Sequence, residues 1–442
     1  MKRVGVLLLL LVGALNTWPA QRSNSSIADV QNIFVIFQEN WSFDSLYGHF
    51  PGANGIEKAD DAVRQVNKDG RRYTTLPQPL DTRNRPPSLD SRFPANLPVA
   101  PFDLSKFVKP DEQTGDLVQR FYQQQFQFNN TKMDKFIAWS DGAGLAMGYY
   151  DATNFPEGKL AQEFTLADNF FHSAFGSSFL NHMWLVCACT PIWPNAPPEL
   201  IAKVGRDDAL VDGAVTTDGF AVNTAYPFYK PYPLASSDAA RRLPPQKQLT
   251  IGDRLNERNI AWRWYAGGYD NAMAGKADTS FQYHHQPFVY FERYADGSAN
   301  KAEFLKDEIF FYEDLKTGKL PSVSFIKPLS PNSPMQGQQR VTELVDTIRQ
   351  SSYWSKSAIF ILYGENGGRW DHVAPPKIDR WGPGARVPAI IVSPFAKKGY
   401  IDHTLYDTTS VLAFIERRWN LRPIATRDAL VNNFTAAFEF GR

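Results

Sequence analysis

The stretch Ala358-Ile359-Phe360-Ile361-Leu362-Tyr363-Gly364-Glu365-Asn366-Gly367-Gly368-Arg369-Trp370-Asp371-His372 decides how this chain is read. Its first five residues are apolar without interruption, which fits a strand buried on both faces. Glycines then loosen the chain, and acidic, amide and imidazole groups gather on the loop at the strand's carboxyl end. In open α/β sheets that end is where ligands bind. The same order occurs near the start, where apolar Ile33 to Phe37 is followed by Gln38-Glu39-Asn40-Trp41-Ser42-Phe43-Asp44. Two strand-to-loop acidic clusters, far apart in sequence, predict one shared site for a hard cation.

Around these strands the periodicity changes. Val341, Leu344, Val345 and Ile348 recur at helical spacing, so 340–350 is predicted as an amphipathic helix preceding the 358–362 strand. Pro388 to Ser393 reads as another buried strand and Thr409 to Trp419 as a closing helix. Helical character is expected over 116–128, and a helix-then-strand order over 251–265 and again over 308–326. This alternation predicts an α/β fold, with a mostly parallel central sheet covered by helices on both faces. The proline-rich stretch 76–110 and the loop-rich stretch 191–244 are expected as insertions in a single domain over 27–442.

The chain has 442 residues, with 47 Lys and Arg against 46 Asp and Glu, so nothing in the balance points to a polyanion such as nucleic acid. Met1-Lys2-Arg3 precedes an apolar run from Val4 to Leu15, the pattern of a secretory signal peptide over 1–20. That run is shorter than the ~20 residues a bilayer span needs, so the mature protein is expected without a transmembrane helix, secreted or periplasmic. Cys187 and Cys189, one residue apart, are expected as small core residues and not as a bridge.

Several motifs occur in one order along the chain: Glu39-Asn40 with Ser42-Phe43-Asp44, Pro51 to Gly55, Met147 to Asp151, Asn181-His182, and Glu365 through Asp371-His372-Val373-Ala374-Pro375-Pro376 to Asp402-His403. Together they resemble the secreted phosphoesterase family of bacterial acid phosphatases and phospholipases C, within the alkaline phosphatase superfamily. The resemblance implies an alkaline-phosphatase-like fold and a metal-dependent phosphoric ester hydrolase that works through a phosphoserine. It places the nucleophile at Ser178, in Gly176-Ser177-Ser178-Phe179-Leu180-Asn181-His182, with Ser177 as the alternative. It implies one divalent metal ion on Glu39, Asn40, Ser178 and Glu365, and such oxygen donors suit the Mg, Ca or Mn class. The implied contacts to the substrate phosphate are Asn181, His182, His284, His285, Asp371 and His372. The substrate so implied is a small phosphomonoester or phosphodiester, phospholipid headgroups included.

Three positions depart from the family pattern. Gln119 and Pro334 stand where it has His, and Gly364 where it has Asp. They support a second reading, a degenerate member that binds a phosphate compound with weak turnover or none. Restoring Asp at position 364 is expected to tighten metal binding.

Overall fold

The computed structural model describes residues 26–60, 63–205, 209–329 and 333–440; the leader expected over 1–20 lies outside them, as do Pro331 and Asn332. The central sheet has eight strands. They are β1 (Asn32–Gln38), β2 (Thr165–Ala167), β3 (Trp262–Ala266), β4 (Leu305–Asp307), β5 (Val323–Lys327), β6 (Ser357–Tyr363), β7 (Ala389–Val392) and β8 (Tyr400–Asp402). Their order across the sheet is β4-β3-β5-β1-β6-β7-β2-β8. Only β7 runs against its neighbours, antiparallel to both β6 and β2; every other pair is parallel.

The helices used below are α1 (Phe121–Phe128), α2 (Pro156–Glu163), α3 (Ser178–Cys187), α4 (Ile309–Thr317), α5 (Pro334–Arg349) and α6 (Thr409–Trp419). Ile33 to Phe37 and the whole of β6 are buried, so the sheet must be covered on both sides. The pleat shows how. Phe34 meets Phe311 of α4 edge-on at 6.1 Å, and Phe37, on the opposite face, meets His182 of α3 at 4.8 Å. Phe360, in register with Val35, shares the Phe37 face and packs on Phe414 of α6 at 5.0 Å. Tyr363 lies on the other face and reaches Glu157 of α2.

Local chemistry explains where elements depart from their expected bounds. Helix α5 begins ahead of 340, because Ser333 caps it through its hydroxyl and Pro334 fits the first turn. Of the stretch 116–128 only α1 is helical. The Val118 N–H donates to Asp141 and the Phe121 N–H to Asn223, so these amides are satisfied from outside the segment. The cysteines need a correction. Cys187 and Cys189 form a disulfide, with Cα atoms 5.1 Å apart. Ala188 between them turns left-handed (φ 46°) at the end of α3, which brings the two sulfurs together. Among the described residues no helix is long and apolar enough to cross a membrane.

Candidate active site

Three neighbouring parallel strands, β5, β1 and β6, end side by side, and each delivers a charged residue at or just past its carboxyl end: Lys327, Glu39 and Glu365. They meet at a cavity of about 540 Å³, which Glu39, Asn40, Ser178, His284, His285 and Lys327 line. Glu365 sits immediately behind it, its Oε1 accepting from the Asn40 N–H at 2.9 Å.

Ser178 is the first residue of α3. The preceding loop is clamped by Asn181, whose Oδ1 accepts from Ala174 N–H and whose Nδ2 donates to the carbonyls of Ala174 and Ser177. Asn181 is thus a builder of the turn and not a group facing the cavity. Ser178 Oγ lies 2.7 Å from His284 Nε2. His182 Nδ1 donates to the Ser178 carbonyl at 2.8 Å, and its buried Nε2 has no hydrogen-bond partner among the described residues. His284 and His285 sit in a 3-10 turn, Tyr283–His285, which lets adjacent side chains converge as a strand would not. His285 stacks on His182, with ring centres 5.4 Å apart, and its Nε2 lies 3.1 Å from Glu39 Oε1.

Burial governs the charge states. It lowers His284 to about 3 and holds His182 well below its ordinary value, so these imidazoles are neutral. Burial alone would raise the Glu39 carboxyl, but His285 and Lys327 (Nζ at 3.5 Å) outweigh it and hold Glu39 ionised. Glu365 goes the other way: burial and then the nearby Glu39 charge push it well above the usual carboxylate range. Its Oε2 is buried with no hydrogen-bond partner among the described residues. Two buried carboxylates, one with an orphaned oxygen, are a donor set that fits a cation. The Glu39 carboxylate and the ring nitrogens of His284 and His285 also lie within 4.8 Å of one another, so imidazoles stand within reach of the same ion.

Three expectations need correction. Asp371 and His372 do not line the cavity. Asp371 accepts from buried Arg386 and from the Asp44 N–H, while His372 Nδ1 is 2.7 Å from Asp44 Oδ2 and Arg386 Nη2 donates to Asp44 Oδ1. The four side chains form a closed ionic network that fastens the loop after β6 to the loop after β1. Gly364, third, has no room for Asp: a Cβ there would stand 2.7 Å from two ring carbons of Phe37 and 3.3 Å from the Gln38 carbonyl. Close approach, not an empty ligand position, is why glycine sits there.

Gln119 does face the site and donates to Asn40 Oδ1 at 2.9 Å. Asn40 itself is left-handed (φ 79°). Sequence reasoning missed Lys327 and Arg369. Lys327 follows the strand-like segment Ser322-Val323-Ser324-Phe325-Ile326 as Gln38-Glu39 follows Ile33 to Phe37, a position that could have marked it. Arg369, buried over the Trp41 ring at 3.9 Å and lowered to about 10 by burial, gave no local signal.

The sequence profile of the Phosphoesterase family matches residues 30–422. A non-hemolytic phospholipase C of Pseudomonas aeruginosa is 24% identical to this chain, over 96% of the chain and 59% of the relative. Phospholipase C A of Mycobacterium tuberculosis is 24% identical, over 94% and 78%. The chain spans about three-fifths of the length of the two non-hemolytic phospholipases C it matches, 59% and 61%. A crystal structure of a protein in the alkaline phosphatase superfamily from Vibrio parahaemolyticus aligns over 68% of this chain and 64% of its own, at 12% identity and a TM-score of 0.33.

Proposed function

Because the chain belongs to the Phosphoesterase family, we propose that it is an exported, metal-dependent phosphoric ester hydrolase that works through a phosphoserine at Ser178. The observation that carries this reading is the 2.7 Å contact between Ser178 Oγ and a neutral His284 Nε2, in a cavity where three strand ends place charge. Ser178 Oγ attacks phosphorus as the bond from phosphorus to the leaving oxygen breaks, and His284 Nε2 takes the hydroxyl proton. Water then attacks the phosphoserine, which frees phosphate and restores the hydroxyl. Lys327, which lines the same cavity, offers N–H groups to the phosphoryl oxygens.

Glu39, Asn40, Ser178 and Glu365 are the residues proposed to hold one divalent ion of the Mg, Ca or Mn class. Such an ion, when bound, neutralises phosphoryl charge and lowers the pKa of the attacking hydroxyl. The orphaned Glu365 Oε2 supports this set. One observation favours the weaker-turnover reading: Gln119 donates to Asn40 Oδ1, the side-chain oxygen proposed to ligate the ion. Initial rates on an aryl phosphate, with metal content measured on the same sample, test the proposal. Metal-dependent release of phosphate that disappears in Ser178→Ala is expected. Release that survives in Ser178→Ala contradicts it, and tight phosphate binding with no release favours the degenerate reading.

A further inference from the structure

The cavity wall beyond the nucleophile carries information about the rest of the substrate. Recognition of a quaternary ammonium, as on a choline headgroup, is commonly built on open aromatic faces. Among the described residues three Phe, Trp or Tyr side chains line this cavity, Phe37, Trp41 and Tyr363. None offers a face. The Arg369 guanidinium already lies over Trp41 at 3.9 Å, Phe37 is packed edge-on with His182, and Tyr363 turns its hydroxyl to α2 to donate to buried Glu157. A cationic headgroup would also meet like charge.

The lining cations are Arg83, Lys327, Arg340 and Arg369, set against the carboxylates Glu39 and Asp116. With Lys327 beside Glu39, three guanidiniums remain. Arg83 is half exposed and gives Asp81 only its Nε–H and one Nη2–H. Arg340, also half exposed, reaches Glu308 through Nη2 at 2.9 Å. A guanidinium has five N–H donors, so each keeps some for an incoming anion. Thr279, Ser280 and Gln282 add hydroxyl and amide groups to the same wall.

We propose that this site takes a hydroxylated phosphate ester bearing a second anionic group, a phosphate or carboxylate held by Arg83 and Arg340, and discriminates against choline esters. The proposal rests on the phosphoesterase reading for the position of the first phosphate. Charge-assisted hydrogen bonds are typically worth enough to change affinity about 10-fold each. The test is calorimetric binding of a sugar bisphosphate, glycerol phosphate and phosphocholine to the wild-type protein and to Arg83→Gln and Arg340→Gln. Hydrolysis of an aryl phosphate is measured in parallel.

The bisphosphate is expected to bind at least ~10-fold tighter than glycerol phosphate, with phosphocholine the weakest, and each Arg variant is expected to shrink the first ratio about 10-fold. Because Arg83 is at the surface, its variant remains informative even if Arg340→Gln, which unpairs buried Glu308, folds poorly. Phosphocholine binding as tightly as the bisphosphate, a ratio unchanged in Arg83→Gln, or no binding of any of the three overturns the proposal. Absence of aryl phosphate hydrolysis with the binding order intact overturns the catalytic reading instead.

Discussion

Gly364→Ala is the sharpest perturbation of the floor of this site. The added Cβ would lie 2.7 Å from two Phe37 ring carbons, against an ordinary carbon–carbon contact of ~3.5–4.0 Å, so the ring must retreat by about 1 Å. It has little room to do so. The buried ring also meets His182 with ring centres 4.8 Å apart, and His182 is tied to the Ser178 carbonyl. Overpacking of this kind costs ~1–3 kcal/mol, whereas replacing glycine by alanine gains only ~0.4–1 kcal/mol from the unfolded chain. The clash therefore wins, and a net loss of about 1–2 kcal/mol is expected, with a reduced kcat because the displaced imidazole disturbs Ser178. Urea unfolding of Gly364→Ala, Phe37→Leu and the double variant measures it. Trimming Phe37 should relieve the clash, so the double variant is expected to lose at least ~1 kcal/mol less than the sum of the singles. An unchanged or raised stability for Gly364→Ala, with an additive cycle, would refute the packing reading and reopen position 364 to a ligand.

Arg386→Met would strand Asp44 and Asp371 as buried carboxylates without their shared guanidinium, and a loss of ~3–5 kcal/mol is expected in the same urea assay. His172 is held neutral by burial, at about 4 against an ordinary 6.5, and accepts from the Ala385 N–H. The unfolded chain takes up that proton first, so the stability His172 lends is present above 6.5 and drains away, by up to about 3 kcal/mol, as pH falls toward 4. His172→Gln should flatten this part of the stability profile, and an unaltered slope would exclude His172 as its source. Exhaustive chelation should lower both activity and melting temperature, and Mg, Ca or Mn should restore them, since an ion bound only by the folded state stabilises it. A metal-free protein with unchanged melting and rate would remove Glu39 and Glu365 from the role of metal ligands.

The sheet is legible in the sequence because its central strands β1 and β6 hold apolar runs, and the acidic loops at their carboxyl ends mark the candidate site. Glu39, Asn40, Ser178, His284 and His285 do converge on one cavity. What could not be read was long-range pairing. Asp371-His372 look like site groups in a list of polar residues, yet Arg386, distant from Asp44 in sequence, turns them inward. Gly364 looks like a lost ligand until Phe37 is seen filling the space beside it. The bridge between Cys187 and Cys189 depends on one left-handed alanine, a conformation that sequence spacing does not announce. Arg369 reaches the cavity only because the loop after β6 folds back across Trp41.

In the proposed mechanism Ser178 carries the phosphoryl group during turnover. Rapid acid quench of the enzyme with an aryl phosphate, followed by peptide mass spectrometry, measures it directly. The expected result is one phosphoryl group on Ser178, absent from Ser178→Ala, which no longer releases phosphate. Phosphate release with no covalent adduct, or an adduct on Ser177 that persists in active Ser178→Ala, would contradict it.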